Sequence, residues 1–308
     1  RQVSEFAESP SEVTQLHQPL DADRLYFRYT GMGPNYGRLA FFDKGAVSAE
    51  FHPSLSCEAV HASGGRGLCL SADRGVVTTY TAYAFDTSTH EVLGEFPLGG
   101  APSRTRVSPD GRTAASTAFV TGHGYDSVGF STQTMLYDLV SLAPIADLET
   151  FTVVHEGETI SRADFNFWGV TFLPDGRGFY ATLSSAGEHH LVRGDISSRT
   201  AIVIHDGVEC PSVSPDGTRV AYKGRITTED GAVGWDIRVL GLLDGQDVAL
   251  ADERSIDDQL EWLDNEHVLY SVPDKSSPAV TNVWTTRADG TGTATLFLEG
   301  AYSPAVAR

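Results

Sequence analysis

One short unit recurs along this chain. It reads Val107-Ser-Pro-Asp-Gly-Arg-Thr-Ala-Ala115, Phe172-Leu-Pro-Asp-Gly-Arg-Gly-Phe-Tyr180 and Val213-Ser-Pro-Asp-Gly-Thr-Arg-Val-Ala-Tyr222, with a degenerate copy at Trp262-Leu-Asp-Asn-Glu-His-Val-Leu-Tyr270. Each copy is a strand, a tight turn and a second strand. Asp stabilises such a turn through its own backbone bonds, and Gly supplies the positive φ. Taking Pro109, Pro174, Pro215, Leu263 and Pro304 as phase markers, successive spacings are 65, 41, 48 and 41 residues. Ser63 falls in the same phase, 46 residues before Pro109. Six turns at this interval mark a repeat architecture.

Short alternating or β-branched runs follow each turn: Thr132–Leu139 and Ala146–Val153, His189–Asp195 and Ala201–Ile204, Trp235–Leu240 and Asp247–Leu250, Asn282–Thr286 and Ala294–Leu298. They are bounded by Asp-Gly and Ser-rich turns, and no amphipathic helix of useful length is found. Four strands per repeat is the blade of a β-propeller. The ends complete the pattern. Arg24–Tyr29, Arg38–Phe42 and Ala46–Phe51 supply three strands of a first blade, and Tyr302–Ala307 at the far end supplies its missing inner strand. The expected fold is therefore all-β, a six-bladed propeller of four-stranded antiparallel blades spanning 24–308, closed by the C-terminal strand. Residues 1–23 are polar and read as a leader or linker ahead of it.

The repeated Ser-Pro-Asp-Gly followed by an apolar strand resembles the WD40-like (PD40) repeat of TolB-like proteins. The match is clear at 107–115, 172–180 and 213–222, partial at 262–270 and 302–306, and weak at 57–70. The resemblance implies a six-bladed ring, extracytoplasmic, used as a platform for binding proteins or other envelope components. The same repeat occurs in propellers attached to prolyl oligopeptidase-type hydrolases, but no Gly-x-Ser-x-Gly elbow is present here.

Composition narrows the partner. The formal net charge is −19, from 41 acidic and 22 basic residues. There is no basic footprint to neutralise phosphates, so no nucleic-acid partner is expected. No apolar run reaches the roughly 18 residues of a membrane span, and membrane association is expected only through an anchor upstream of Arg1. Arg in place of Lys, with abundant Ala, Gly and Asp, is the bias of a high-GC bacterial genome.

Of three cysteines, Cys57 and Cys69 flank a Ser63-Gly64-Gly65 turn. A hairpin centred on residue 63 sets them directly opposite one another, close enough to bridge. A bridge implies an oxidising compartment; the alternative is two unlinked buried thiols. Cys210 is left over and reads as an inert buried thiol.

No compact catalytic constellation is visible. Asp110, Asp175 and Asp216 are turn residues. His189 and His190 are adjacent on a strand and point to opposite faces, and no zinc-type spacing occurs. The acidic pairs Glu229-Asp230, Asp252-Glu253 and Asp257-Asp258 read as solvated surface. A loosely held calcium is the only cofactor they suggest, without a dedicated loop motif. The expected binding face carries the insertions at 120–130 and 156–168, which account for the long spacing; His123, Tyr125, Phe130 and Trp168 are its candidate anchors. The rival reading is a propeller enzyme of hydrolase, lactonase or lyase type. Its metal or carboxylate site would lie near the central channel, lined by Arg104, Asn166, Glu209, Asp258 and Glu261.

Overall fold

In the computed structural model, which describes residues 15–120 and 131–308, the chain winds six sheets into a ring. Five sheets have four strands and one has six. The inner strands, in ring order, are Ala301–Ala307, Ala59–Ser63, Ala101–Val107, Asn166–Phe172, Val208–Val213 and Glu261–Trp262. Their six blades are numbered one to six below. Closure is as the phase markers require. Ala301–Ala307 pairs antiparallel with Arg24–Tyr29, matching Arg24 with Ala307 and Tyr29 with Ala301. No edge of the ring stays open.

The repeated turns do what their residues predict. In blade three the Gly111 amide donates to Ser108 O, the Asp110 carboxylate accepts from the Ser108 hydroxyl and the Arg112 amide, and Gly111 has φ 68°. Blade five repeats the arrangement through Ser214, Asp216 and Gly217, whose φ is 72°. In the degenerate copy Asp264 accepts the amides of Glu266 and His267 at 2.6 and 2.7 Å.

Apolar side chains fill the wedges between blades. Leu136, Phe167, Phe172 and Phe179 form one such core between blades three and four; Phe27, Phe42, Leu269 and Phe297 form another between blades one and six. The second core begins before residue 24. Leu16 bridges Leu298, the His17 amide donates to Phe297 O, and Leu20 is buried. Residues 16–18 thus lie along the outer edge of blade six, and the Asp23 carbonyl accepts the Lys44 amide of blade one.

Three local expectations change. The third strand of blade one is Glu50–Ser56, not 46–51. The run 146–153 is split. Ala143–Asp147 closes blade three, a short 3-10 turn Leu148–Thr150 follows, and Thr152–His155 crosses to blade four. There it pairs in parallel with Thr200–Asp206 and, with Glu158–Ile160, adds a hairpin to that sheet. The insertion at 156–168 therefore opens on a hairpin turn at Glu156-Gly157 (φ 51° and 83°) and runs through Glu158–Ile160 and an irregular stretch to the inner strand of blade four. The disulfide joins Cys57 and Cys69 as expected, with Cα atoms 5.4 Å apart, but the register differs. The turn is the two-residue Gly64-Gly65, so Cys69 pairs with Val60. Cys57 reaches it from just beyond the strand end Ser56 and ties blade one to blade two.

Four inner strands break register at equivalent places, between Pro102 and Arg104, Trp168 and Thr171, Glu209 and Ser212, and opposite Tyr26–Arg28. Gly169, Cys210 and Ser303 sit at three of these bulges with φ 64°, 50° and 53°. At Gly169 a Cβ would lie 2.7 Å from Cys210 Cα, so only glycine fits. A bulge re-aims the side chains that follow it, and here these lead into the channel.

Candidate functional site: the two mouths of the channel

Because neighbouring strands are antiparallel, the turns between first and second strands, Pro-Asp-Gly in blades three to five, emerge on one face. The second strands end and the third strands begin on the other, as at Val120 and Ser131, and the crossings from blade to blade lie there too. The channel has a mouth on each face, and charged side chains cross it between them.

At the turn-face mouth, Arg106 reaches from blade three across the ring. Its guanidinium pairs with Glu261 of blade six and donates to the Ser212 hydroxyl (2.9 Å) and Leu260 O. His61 lies beside the pair, its Nδ1 accepting the Val107 amide (3.1 Å) and its Nε2 3.5 Å from Glu261. The second Glu261 oxygen accepts the Val306 amide at 3.2 Å. Burial raises the Glu261 carboxyl, but Arg106, His61 and Arg308 outweigh it and hold the group at about 2. Burial, reinforced by Arg106, pushes His61 below its ordinary value and keeps it neutral. Above this floor opens a funnel of about 180 Å³, walled by Val107, Phe172, Val213 and the turn prolines Pro109, Pro174 and Pro215. Arg308 anchors its rim by donating to Leu263 O (2.9 Å) and Trp262 O.

The insertion-face mouth is closed by ion pairs. Glu209 accepts from Arg225 Nε (3.1 Å) and Trp235 Nε1 (3.2 Å) and lies 3.8 Å from Lys223 Nζ. Lys223 also pairs with Asp257 and sits 4.6 Å from the Trp235 ring centre. Arg104 donates to the Tyr302 hydroxyl (3.1 Å) and to Asp257 O (3.4 Å). Asp258 accepts the amides of Gln259 and Ser271 at 2.9 and 2.8 Å. Burial raises its carboxyl above the usual range.

Of the channel residues named from sequence, Arg104, Glu209, Asp258 and Glu261 do converge on the axis. Asn166 does not join them: its carbonyl takes the Thr132 amide at 2.8 Å and stitches blade four to blade three. Of the binding-face anchors, Trp168 is buried on the inner strand of blade four, its ring 5.6 Å from His189. His123, Tyr125 and Phe130 lie outside the described residues. His189 and His190 diverge as expected, His189 towards Glu209 and His190 onto Asp206 at 2.6 Å. Among the described residues no group of three or more His, Cys, Asp or Glu is placed to hold a metal.

Sequence reasoning missed Arg106, His61, Lys223, Tyr302 and Arg308. One signal was available for the first: Arg104 and Arg106 are two apart on an inner strand, so both face the axis.

No family model matches this sequence, and no curated protein does. Solved structures do match. TolB from Acinetobacter baumannii superimposes with a TM-score of 0.62 at 16% identity, over 95% of this chain and 68% of that one. A putative TolB from Agrobacterium tumefaciens gives 0.53 at 14%, over 94% and 92%. A puromycin-hydrolyzing peptidase from Mycobacterium tuberculosis gives 0.55 at 12%, over 92% of this chain but 44% of the peptidase. At these identities the likeness is one of fold: a six-bladed, TolB-like β-propeller.

Proposed function

We propose that this TolB-like propeller is a non-enzymatic extracytoplasmic binding module whose partner is a protein or another cell-envelope component. One observation carries the reading: a funnel of about 180 Å³ opens at the turn-face mouth, its walls largely apolar with a few Ser and Thr hydroxyls, and its charges confined to the floor and to Arg308 at the rim. Such a funnel suits one inserted side chain or chain end, with Arg106 and Glu261 orienting a polar tip. Those two groups satisfy one another, as do Lys223, Asp257 and Glu209 across the channel. This favours recognition over acid-base chemistry, which needs a group free to move a proton. The Cys57–Cys69 bridge supports an oxidising compartment. The peptidase neighbour shares only the fold, over less than half its length.

The test is capture of a partner from the source envelope fraction, followed by a titration of the purified pair. Val213→Trp should fill the funnel and abolish binding while the melting curve stays cooperative. The double variant His123→Ala/Tyr125→Ala probes the opposite face. If it alone abolishes binding, the partner belongs on the insertion face and the funnel reading fails.

A further inference from the structure

Between the funnel floor and the ion pairs of the insertion face lies a small chamber. It encloses about 20 Å³ and is lined by Arg104, Arg106, Asp258, Gln259, Tyr302 and Ser303. That is room for one water-sized particle. Its walls are rich in donors and poor in acceptors. Arg104 Nε is buried without a hydrogen-bond partner. The Tyr302 hydroxyl accepts from Arg104, which leaves its own proton to give. Burial and the acids nearby keep that hydroxyl protonated against the opposing pull of Arg104. Each Asp258 oxygen already takes one amide, from Gln259 and from Ser271. The Gln259 amide nitrogen is spent on Val170 O and Pro211 O.

We propose that this chamber is a site for a single monatomic anion, chloride being the ordinary occupant, held by Arg104 Nε and the Tyr302 hydroxyl. The local charge agrees. Arg104, Arg106, Lys223 and Arg225 face Glu209, Asp257 and Glu261 around the channel. The fourth acid, Asp258, is pushed towards its neutral form by burial. Where Asp258 is neutral, the cations outnumber the acids by one, inside a protein whose net charge is −19. The surface acids are screened within about 10 Å in ordinary salt, so the buried excess dominates at the site. A cation would meet unpaired donors here. A water would leave Arg104 Nε bonded but the excess charge unanswered.

The site is lined by blades one, two and three and by the segment entering blade six, so an anion bound there stabilises the ring. The test has two arms. Crystals of the full chain grown with bromide in place of chloride should show an anomalous peak within hydrogen-bond distance of Arg104 Nε. In solution, at constant ionic strength, bromide or chloride in place of acetate should raise Tm saturably, by roughly 5 °C at a hundredfold excess over Kd. Arg104→Gln should lose both signals. If that variant does not fold, Asp258→Asn replaces it; its fixed neutral side chain should keep both the peak and the halide shift, and loss of either overturns the proposal. A chamber that holds only water at saturating bromide overturns the proposal. So does a bromide peak with no saturable shift in solution, which marks binding at crystal concentration only.

Discussion

The two mouths of the channel are built from the same inner strands yet solve different problems. At the turn face, the buried pair Arg106–Glu261 lies deep and leaves an apolar funnel above it. At the insertion face, Lys223 and Glu209 are as buried as that pair, but their outer partners Asp257 (56% exposed) and Arg225 (45%) reach solvent and close the opening. The difference lies in those outer partners. A pair buried on both sides surrenders its water and must be complete, so it becomes a rigid floor. A pair with one solvated partner stays screened, and contributes less. One mouth is therefore shaped to receive something and the other to be covered.

The contrast can be broken first by removing what both mouths share. Ala301–Ala307 contributes Tyr302 to one mouth and Val306 to the other, and Arg308 follows it. Deleting residues 301–308 strips blade one of its inner strand and should cost more than about 5 kcal/mol, enough to abolish cooperative melting. A truncated chain that melts like the parent would overturn the ring closure.

Next in size is Glu261→Gln, which leaves Arg106 buried without its counter-charge. Urea denaturation should show a loss of about 3–5 kcal/mol. The double replacement Arg106→Leu/Glu261→Leu should recover much of that loss, because no unpaired charge then stays behind.

The Cys57–Cys69 bridge lies in the wall, away from both mouths. Replacing both cysteines with serine should lower stability by about 3 kcal/mol, the loop between them being 12 residues in sequence separation. Binding at the funnel should be unchanged. Thiol titration of the denatured, unreduced protein should find one free group per chain, Cys210.

A smaller effect is set by pH. His52 is fully buried in blade one, its Nδ1 accepting the amides of Ser54 and Leu55. Burial, with help from His90, lowers it to about 4. The unfolded chain binds this proton near pH 6.5 and the folded chain only near 4, so protons favour unfolding across that window. Stability is full above pH 6.5 and declines as pH falls towards 4, by about 2 kcal/mol between pH 8 and pH 5. His52→Asn, whose carbonyl can take the same two amides, should flatten that slope while the Glu261 floor stays ionised. An unchanged slope would assign the acid sensitivity to other groups.

The smallest change expected is at Asp257→Asn, in the solvated network of the insertion face. It should cost no more than about 1 kcal/mol. A loss as large as that of Glu261→Gln would erase the distinction between the mouths.

Much of the fold was legible because its signals are local. A Pro-Asp-Gly turn is stabilised by its own residues, as Ser108–Gly111 and Ser214–Gly217 show. The spacing of those turns carries the blade count, and a phase marker beside the last residues carries the closure. Pairings without a local cause were less legible. Gly64-Gly65 rather than Ser63 centres the hairpin, so the disulfide partners were right and their register was not. Nothing in Thr152–His155 says that it will leave blade three and run parallel to Thr200–Asp206.

The candidate site divides in the same way. Alternation along the inner strands was enough to place Arg104, Glu209, Asp258 and Glu261 near the axis. It could not say which of them meet, or that Arg106 rather than Arg104 pairs with Glu261 across 155 residues of chain. Nor could it show that Trp168, an attractive interface anchor on paper, is buried against His189. The sequence by itself determined the repeat, the turns and the closed ring, because the turns depend on residues a few positions apart and the closure follows from the phase of the repeats. Which charges seal the channel, where a funnel is left open and where an enclosed chamber forms were decided only by the tertiary structure. Six inner strands distant in sequence converge on one axis there, and burial sets how strongly each group they carry must be answered by another.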